Sequence, residues 1–316
     1  TASDFEDLDY WKPTLGSALY DLAPTFTAAN KATIGAAYVR NDSESNVLSR
    51  LSGSTINATG DVSVTADADG IIKSTLDAQV DNQVDHSTSD ASSIGVNGFI
   101  ATNQLRGSTY AHISDAVLTT ADVTVSATQS RQITTTNDNL IESNTGSLGA
   151  VLAFNTIGYS FSNFFTLALN ALYGGGTGVT EQDAYAKALI FDSSVTATGD
   201  IDVIALNTSK VISLLSNDTS ATIAALTTSK PSFALGFAIT SNLISSSVTA
   251  AIEEGGDARV TTLTASGSVT VSAKNAAEIA ADTDIRSVAD SGNRAVSLVD
   301  SFIEQFSANY DYSSLA

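Results

Sequence analysis

Cysteine and methionine are both absent from the 316 residues. Without cysteine the chain can build neither a disulfide framework nor a thiolate metal site. Long surface proteins that must avoid mispairing during export share this trait. Even position 1 lacks methionine, and an opening of Thr1-Ala2-Ser3 reads as processing from something longer. Bases are scarce: 14 Lys and Arg face 34 Asp and Glu, a formal net charge of −20. That field repels phosphate backbones and anionic membrane surfaces. It argues against nucleic acid as a partner and leaves divalent cations, basic proteins and neutral glycans compatible. No long apolar span and no signal-like start occur, so we expect no membrane insertion of this segment. Only His86 and His112 are present, too few for a local Ser-His-Asp arrangement or a metal-binding pair. Gly174-Gly-Gly-Thr-Gly178 is not followed by Lys-Ser/Thr and is no phosphate loop.

What the chain does have is one phrase, four times. It reads Ile56-Asn-Ala-Thr-Gly-Asp-Val-Ser-Val-Thr-Ala66, then Leu118-Thr-Thr-Ala-Asp-Val-Thr-Val-Ser-Ala127. It returns as Val195-Thr-Ala-Thr-Gly-Asp-Ile-Asp-Val-Ile-Ala205 and Leu263-Thr-Ala-Ser-Gly-Ser-Val-Thr-Val-Ser-Ala273. A fixed period of this kind marks a repeat architecture. Each copy places a turn before an alternating β-branched strand, with Gly60, Asp61, Asp122, Gly199, Asp200 and Gly267 as the turn residues. An Asp there is explained by a bond to its own backbone two residues onward. Ser268 replaces the acid in the last copy, which suits a turn better than catalysis.

A second shared line runs Ile94-Gly-Val-Asn-Gly-Phe-Ile-Ala-Thr-Asn103, Leu148-Gly-Ala-Val-Leu-Ala-Phe-Asn155 and Leu235-Gly-Phe-Ala-Ile-Thr-Ser-Asn242, with Ile34-Gly-Ala-Ala-Tyr-Val-Arg-Asn41 as a weaker copy. We assign Asn103, Asn155 and Asn242 to turns, stacked as a ladder that bonds the backbone of the next coil. Coils of about 20 to 25 residues would put about three of them in each repeat.

The segments outside the repeat read as helical. Residues 1–33 form an N-terminal cap or linking segment around Tyr10-Trp11. Residues 34–280 form the repeat body, and an insertion at about 159–185 carries Phe164, Phe165, Ala168, Leu169 and Leu172 at helical spacing. Residues 281–316 form a C-terminal helical cap or linking segment with Val296, Val299, Phe302, Ile303 and Phe306 on one face. Asp67 and Asp69, and Glu253, Glu254 and Asp257, form dense acidic turns of the kind hard cations prefer, which makes Ca²⁺ the one cofactor worth testing. Asn57, Asn207 and Asn217 open Asn-x-Ser/Thr sequons.

The Ala-x-Gly-Asp-Val-x-Val-x-Ala phrase, the Gly-to-Asn line and the aromatic first segment resemble very large repetitive bacterial exoproteins of the filamentous-haemagglutinin-like, β-helical adhesin type. The likeness covers about Ile34 to Ile279. It implies an all-β fold, a right-handed parallel β-helix (solenoid) with short helical caps or insertions. It implies a secreted or cell-surface segment of a giant protein, acting in adhesion or in assembly of a surface fibre or matrix. Its partners would be itself, head to tail or laterally, or cell-surface glycans and proteins. No catalytic residue is carried over, and we expect no enzyme. The alternative is a β-helical polysaccharide lyase or hydrolase, working through clustered carboxylates.

Overall fold

A computed structural model describes residues 31–82, 93–161, 179–182, 184–222, 232–255 and 260–290. Every regular element among them is a strand. The long ones alternate inward and outward positions, with β-branched residues such as Val62, Val64, Ile72 and Val80 at some of the inward ones, a pattern that fits a half-buried pleated surface. In Val62–Asn82, alternate side chains are exposed and inward-facing without interruption for 21 residues.

Four successive passes of the chain repeat the same strand order. The first pass holds β1 (Lys31–Glu44), β2 (Val47–Ser52), β3 (Thr55–Asn57) and β4 (Val62–Asn82). The second holds β5 (Ser93–Arg106), β6 (Thr109–Ser114), β7 (Val117–Thr120) and β8 (Val123–Ser143). The third runs β9 (Gly146–Ile157), β10 (Tyr159–Phe161), β11 (Val179–Glu181), β12 (Tyr185–Phe191), β13 (Ser194–Ala197), β14 (Ile201–Asn207) and β15 (Lys210–Thr222). The fourth runs β16 (Phe233–Ile244), β17 (Ser247–Glu253), β18 (Thr262–Ala265), β19 (Val269–Asn275) and β20 (Glu278–Asp290). Equivalent strands pair in parallel, so the sheets read β1-β5-β9-β16, β2-β6-β12-β17 and β3-β7-β13-β18. In the fourth sheet β4 and β8 are continuous, and β14 with β15, then β19 with β20, run alongside them.

One repeat is therefore one pass, and the expectation of about three short coils per repeat is corrected. The separation between stacked equivalents is 61, 78 and 68 residues. The reason lies in β4 and β8. Their alternation runs on past the first valines, through Asp69-Gly70 and Asn137-Asp138-Asn139, so a strand of 21 residues covers roughly 65–70 Å.

The recurring phrase is in perfect register: Val64, Val125, Val203 and Val271 are successive partners, as are Ala66, Ala127, Ala205 and Ala273. The Gly line is not. Its second copy is displaced by two residues, because Val96-Asn97, and not Ile94-Gly95, lies opposite Leu148-Gly149. A shift of two leaves every side chain on its face, so the alternation alone could not reveal it.

Small residues fill the largest core: Ala111, Ala127, Ala186, Ala188 and Ala205 pack with Ile113, Leu118, Val125, Ile190, Ile201 and Val203. A second core joins Phe99, Ala101, Val151 and Ala153 to Leu76 and Leu215 of the long strands. The alternate residues Ile100, Leu152, Phe154 and Ile239 pack with Phe161 on the opposite face of the same sheet. That sheet is apolar on both sides, as buried parallel sheets commonly are.

At about 159–185, β10 and β11 pair antiparallel. The helical pattern expected from Phe164 to Leu172 lies outside the described residues, as do the aromatic first segment, His86 and the apolar face from Val296 to Phe306. β20 carries strand to Asp290, ten residues into the stretch assigned to a C-terminal cap.

Candidate functional site

The residues singled out by repetition converge on ladders that run from pass to pass. Asp122 N–H donates to Asp61 Oδ1 at 3.2 Å, and Asp200 N–H to Asp122 Oδ1 at 2.8 Å. Asp200 Oδ1 in turn accepts from both the backbone N–H of Ser268, at 2.7 Å, and its hydroxyl, at 3.0 Å. These two bonds, the backbone one first, hold the Asp200 carboxyl below its usual range. Each carboxylate thus bonds the equivalent residue one pass onward, not its own turn as expected. The glycine of the phrase belongs to the same device, since a Cβ at Gly267 would collide with Asp200 Oδ1. In the second copy Ala121 stands in the glycine position, and the bond there is the longest of the three.

The asparagine ladder is real but differently placed. Asn103, Asn155 and Asn242 lie inside β5, β9 and β16, not at turns. Asn41 Nδ2 donates to Asn103 Oδ1, Asn103 to Asn155 and Asn155 to Asn242, each at 2.8 Å. The bonds join side chain to side chain, and Thr135 Oγ1 from the facing sheet both accepts from Asn103 and donates to Asn155. Mid-strand polar residues are costly when buried, and here the pass above or below supplies the partner.

Two further ladders escaped the sequence reading. Asn97 donates to Asn139 and Asn139 to Asn217, both at 2.8 Å. Asn207 donates to Asn275 at 2.8 Å. Their signal was parity: each polar residue interrupts an alternation at a position that should point inward. Asn207 and Asn217 are at most 1% exposed, so neither sequon is open to glycosylation in the folded state, whereas Asn57 is exposed. Asp115 and Asp192 also went unnoticed; both adopt φ of 50° in the turn after β6 and β12, as Gly53 does after β2 with φ of 62°.

The proposed cation ligands that lie among the described residues do not converge. Asp67 and Asp69 are exposed alternate residues of β4, not of a turn, which sets them roughly 6–7 Å apart along the strand. Glu253 ends β17 and Glu254 follows it, while Asp257 lies outside the described residues. Among the described residues no group of three His, Asp or Glu side chains could hold a metal ion.

His112 stands on the outward side of β6, stacked on Tyr110 at 4.4 Å and near Phe191 at 5.6 Å between ring centroids. It is 9% exposed and its Nδ1 has no partner. Burial, and then the Arg50 charge, lower its pKa from 6.5. The unfolded chain therefore binds the proton more readily, and stability must fall as the pH drops from about 6.5 toward the folded value. We expect the melting midpoint to decline across that interval more steeply for the native chain than for His112→Phe. Identical slopes for the two would show that the histidine is not linked to folding.

Arg131 is a second buried ionisable group. It is 3% exposed, donates through Nη2 to Ser45 O at 3.0 Å, and leaves Nη1 unpartnered. Burial lowers its pKa to about 10, and no carboxylate within the described residues pairs with it. A buried charge so poorly compensated is a net cost. Arg131→Met should accordingly stabilise the fold by on the order of 1–2 kcal/mol, and a lower denaturation midpoint for that variant would refute this account.

Asp61, Asp122, Asp200 and the three asparagines are thus brought into register by the stack, while the acidic pairs proposed for Ca²⁺ are not gathered into one site. No protein family, curated protein or solved structure matches the chain.

Proposed function

We propose that this chain is a right-handed parallel β-solenoid segment of a secreted or cell-surface protein, a structural and adhesive module of the filamentous-haemagglutinin-like type. One observation carries the reading. The polar residues that repeat, Asp61, Asp122 and Asp200 with Asn41, Asn103, Asn155 and Asn242, are spent on bonds between passes. Repetition here serves stacking, and stacking makes a stiff body whose Ser, Thr and Asp side chains recur at strand spacing. A right hand for the winding accords with the chirality of parallel crossovers. The net charge of −20 keeps such a body apart from anionic surfaces, so its contacts would be with neutral glycans, with basic proteins or with itself.

The test pairs two measurements. Protease treatment of intact producing cells should remove the protein if it is displayed outside. Incubation with uronate-containing and neutral polysaccharides should release no unsaturated product and no new reducing ends. Release of either would overturn the structural reading in favour of a β-helical lyase or hydrolase.

A further inference from the structure

The Asn ladder that begins at Asn41 has a direction, and its two ends are left with opposite chemistry. Each asparagine donates from Nδ2 to the Oδ1 of the next pass, so Asn41 Oδ1 accepts no bond among the described residues. At the other end, among the described residues, Asn242 Nδ2 reaches only Thr240 Oγ1, 3.3 Å away in its own strand. The backbone bonds run both ways between passes, as parallel pairing requires: Ala121 N–H donates back to Gly60 O and Gly199 N–H to Ala121 O, while an alternate set runs forward. Val62 N–H donates to Asp122 O, Val123 N–H to Asp200 O and Ile201 N–H to Ser268 O, each at 2.9 Å. The register then points the N–H groups of Val269 and Val271 out of the fourth pass.

Side chains at that end are equally open. Val269, Val271 and Ile279 are 50%, 47% and 50% exposed, whereas their register partners Ile201, Val203 and Val211 are 0% exposed. The first pass presents what would fit them. Its Val62-x-Val64-x-Ala66 matches Val269-x-Val271-x-Ala273, and Ile34-Gly35…Asn41 has the spacing of Leu235-Gly236…Asn242.

We propose that the fourth pass of one molecule docks on the first pass of a second copy, extending the parallel sheets and the Asn ladder across the junction. Asn242 Nδ2 then donates to Asn41 Oδ1, and Val269 N–H to Asp61 O, of the next molecule. Such a contact joins different surfaces and does not close, so it propagates into a filament. The inference rests on the stacked-solenoid reading above.

Sedimentation and electron microscopy of the full chain over a concentration series test it. Assembly into rods is expected, with about 19 Å of length per copy, four passes at about 4.8 Å each. Val271→Pro removes an outward N–H while Thr270 and Ser272 keep their bonds to β14. It should remain monomeric, with circular dichroism unchanged and a melting midpoint that does not rise with concentration. A native chain that stays monomeric at every concentration, its ends covered by its own terminal segments for example, overturns the proposal. So does a Val271→Pro variant that assembles as well as the native chain. A Thr124→Cys/Asp202→Cys pair separates this failure from that of the underlying reading. These positions are register partners in adjacent passes, and the chain has no other cysteine. Cross-linking within a monomer upholds the stack and rejects only the docking; absence of cross-linking rejects the stack itself.

Discussion

Replacing Asn155 by alanine should cost on the order of 3–5 kcal/mol of folding stability, the largest loss expected from any single ladder position. Its side chain is 0% exposed. Oδ1 accepts from Asn103 Nδ2 at 2.8 Å and from Thr135 Oγ1 at 2.7 Å, and Nδ2 donates to Asn242 at 2.8 Å. Truncation removes all three bonds at once. It also strands the Thr135 hydroxyl and one donor of Asn103 in the interior, and an orphaned buried group costs about 1–3 kcal/mol. The same change at Asn242, at the open end of the ladder and half-buried, should cost about 1 kcal/mol, because it removes one bond from Asn155 and one long bond to Thr240 at an end that water can reach. Urea denaturation of the two variants checks the contrast. Equal losses at Asn155 and Asn242 would mean that the ladder is not what holds the centre of the stack.

Gly149→Ala should rank next, at on the order of 2–4 kcal/mol. The glycine lies in β9, facing the long strands, where the added methyl would meet Asn217 Oδ1 at 2.5 Å, Thr219 Cγ2 at 2.7 Å and Asn139 Nδ2 at 3.0 Å. Asn217 cannot simply withdraw. Its Oδ1 accepts from Asn139 at 2.8 Å, and its Nδ2 donates to Gly149 O at 3.1 Å and Phe237 O at 2.9 Å. One methyl group therefore either breaks the buried amide chain or pushes the facing sheets apart. A double variant, Gly149→Ala with Asn217→Ala, tests the cause. If the clash is the reason, the second change should recover part of the first loss, since it vacates the space. Strict additivity would point elsewhere.

Both predictions concern the motif that the sequence displayed most openly and explained least well. Glycine and asparagine recur at one spacing in β1, β9 and β16, and that spacing is plain in the letters. In β9 and β16 the glycine is required because side chains of the opposite sheet, Asn217 among them, occupy the place of its Cβ, whereas in β1 the place is taken by Asn97 of the neighbouring strand. Nothing local carries that fact: Asn139 and Asn217 are 10 and 68 residues away from Gly149 in the chain. Local reasoning fell back on the turn preference of asparagine, a sound rule for isolated residues, and so misplaced Asn103, Asn155 and Asn242.

By itself the sequence determined that the repeat body is built of strands, that the four recurring phrases are equivalent, and that Asp61, Asp122, Asp200 and Ser268 align. Those follow from an alternation of period two and from turn chemistry, which act over a few residues. The tertiary structure alone decided the size of a pass, the two-residue offset at Val96-Asn97 and the partner of each buried amide. An alternating pattern is unchanged by a slip of two and does not say where a long strand must end. Only the bonds between passes choose among the registers it allows, because a buried amide displaced from its ladder loses partners that no water can replace.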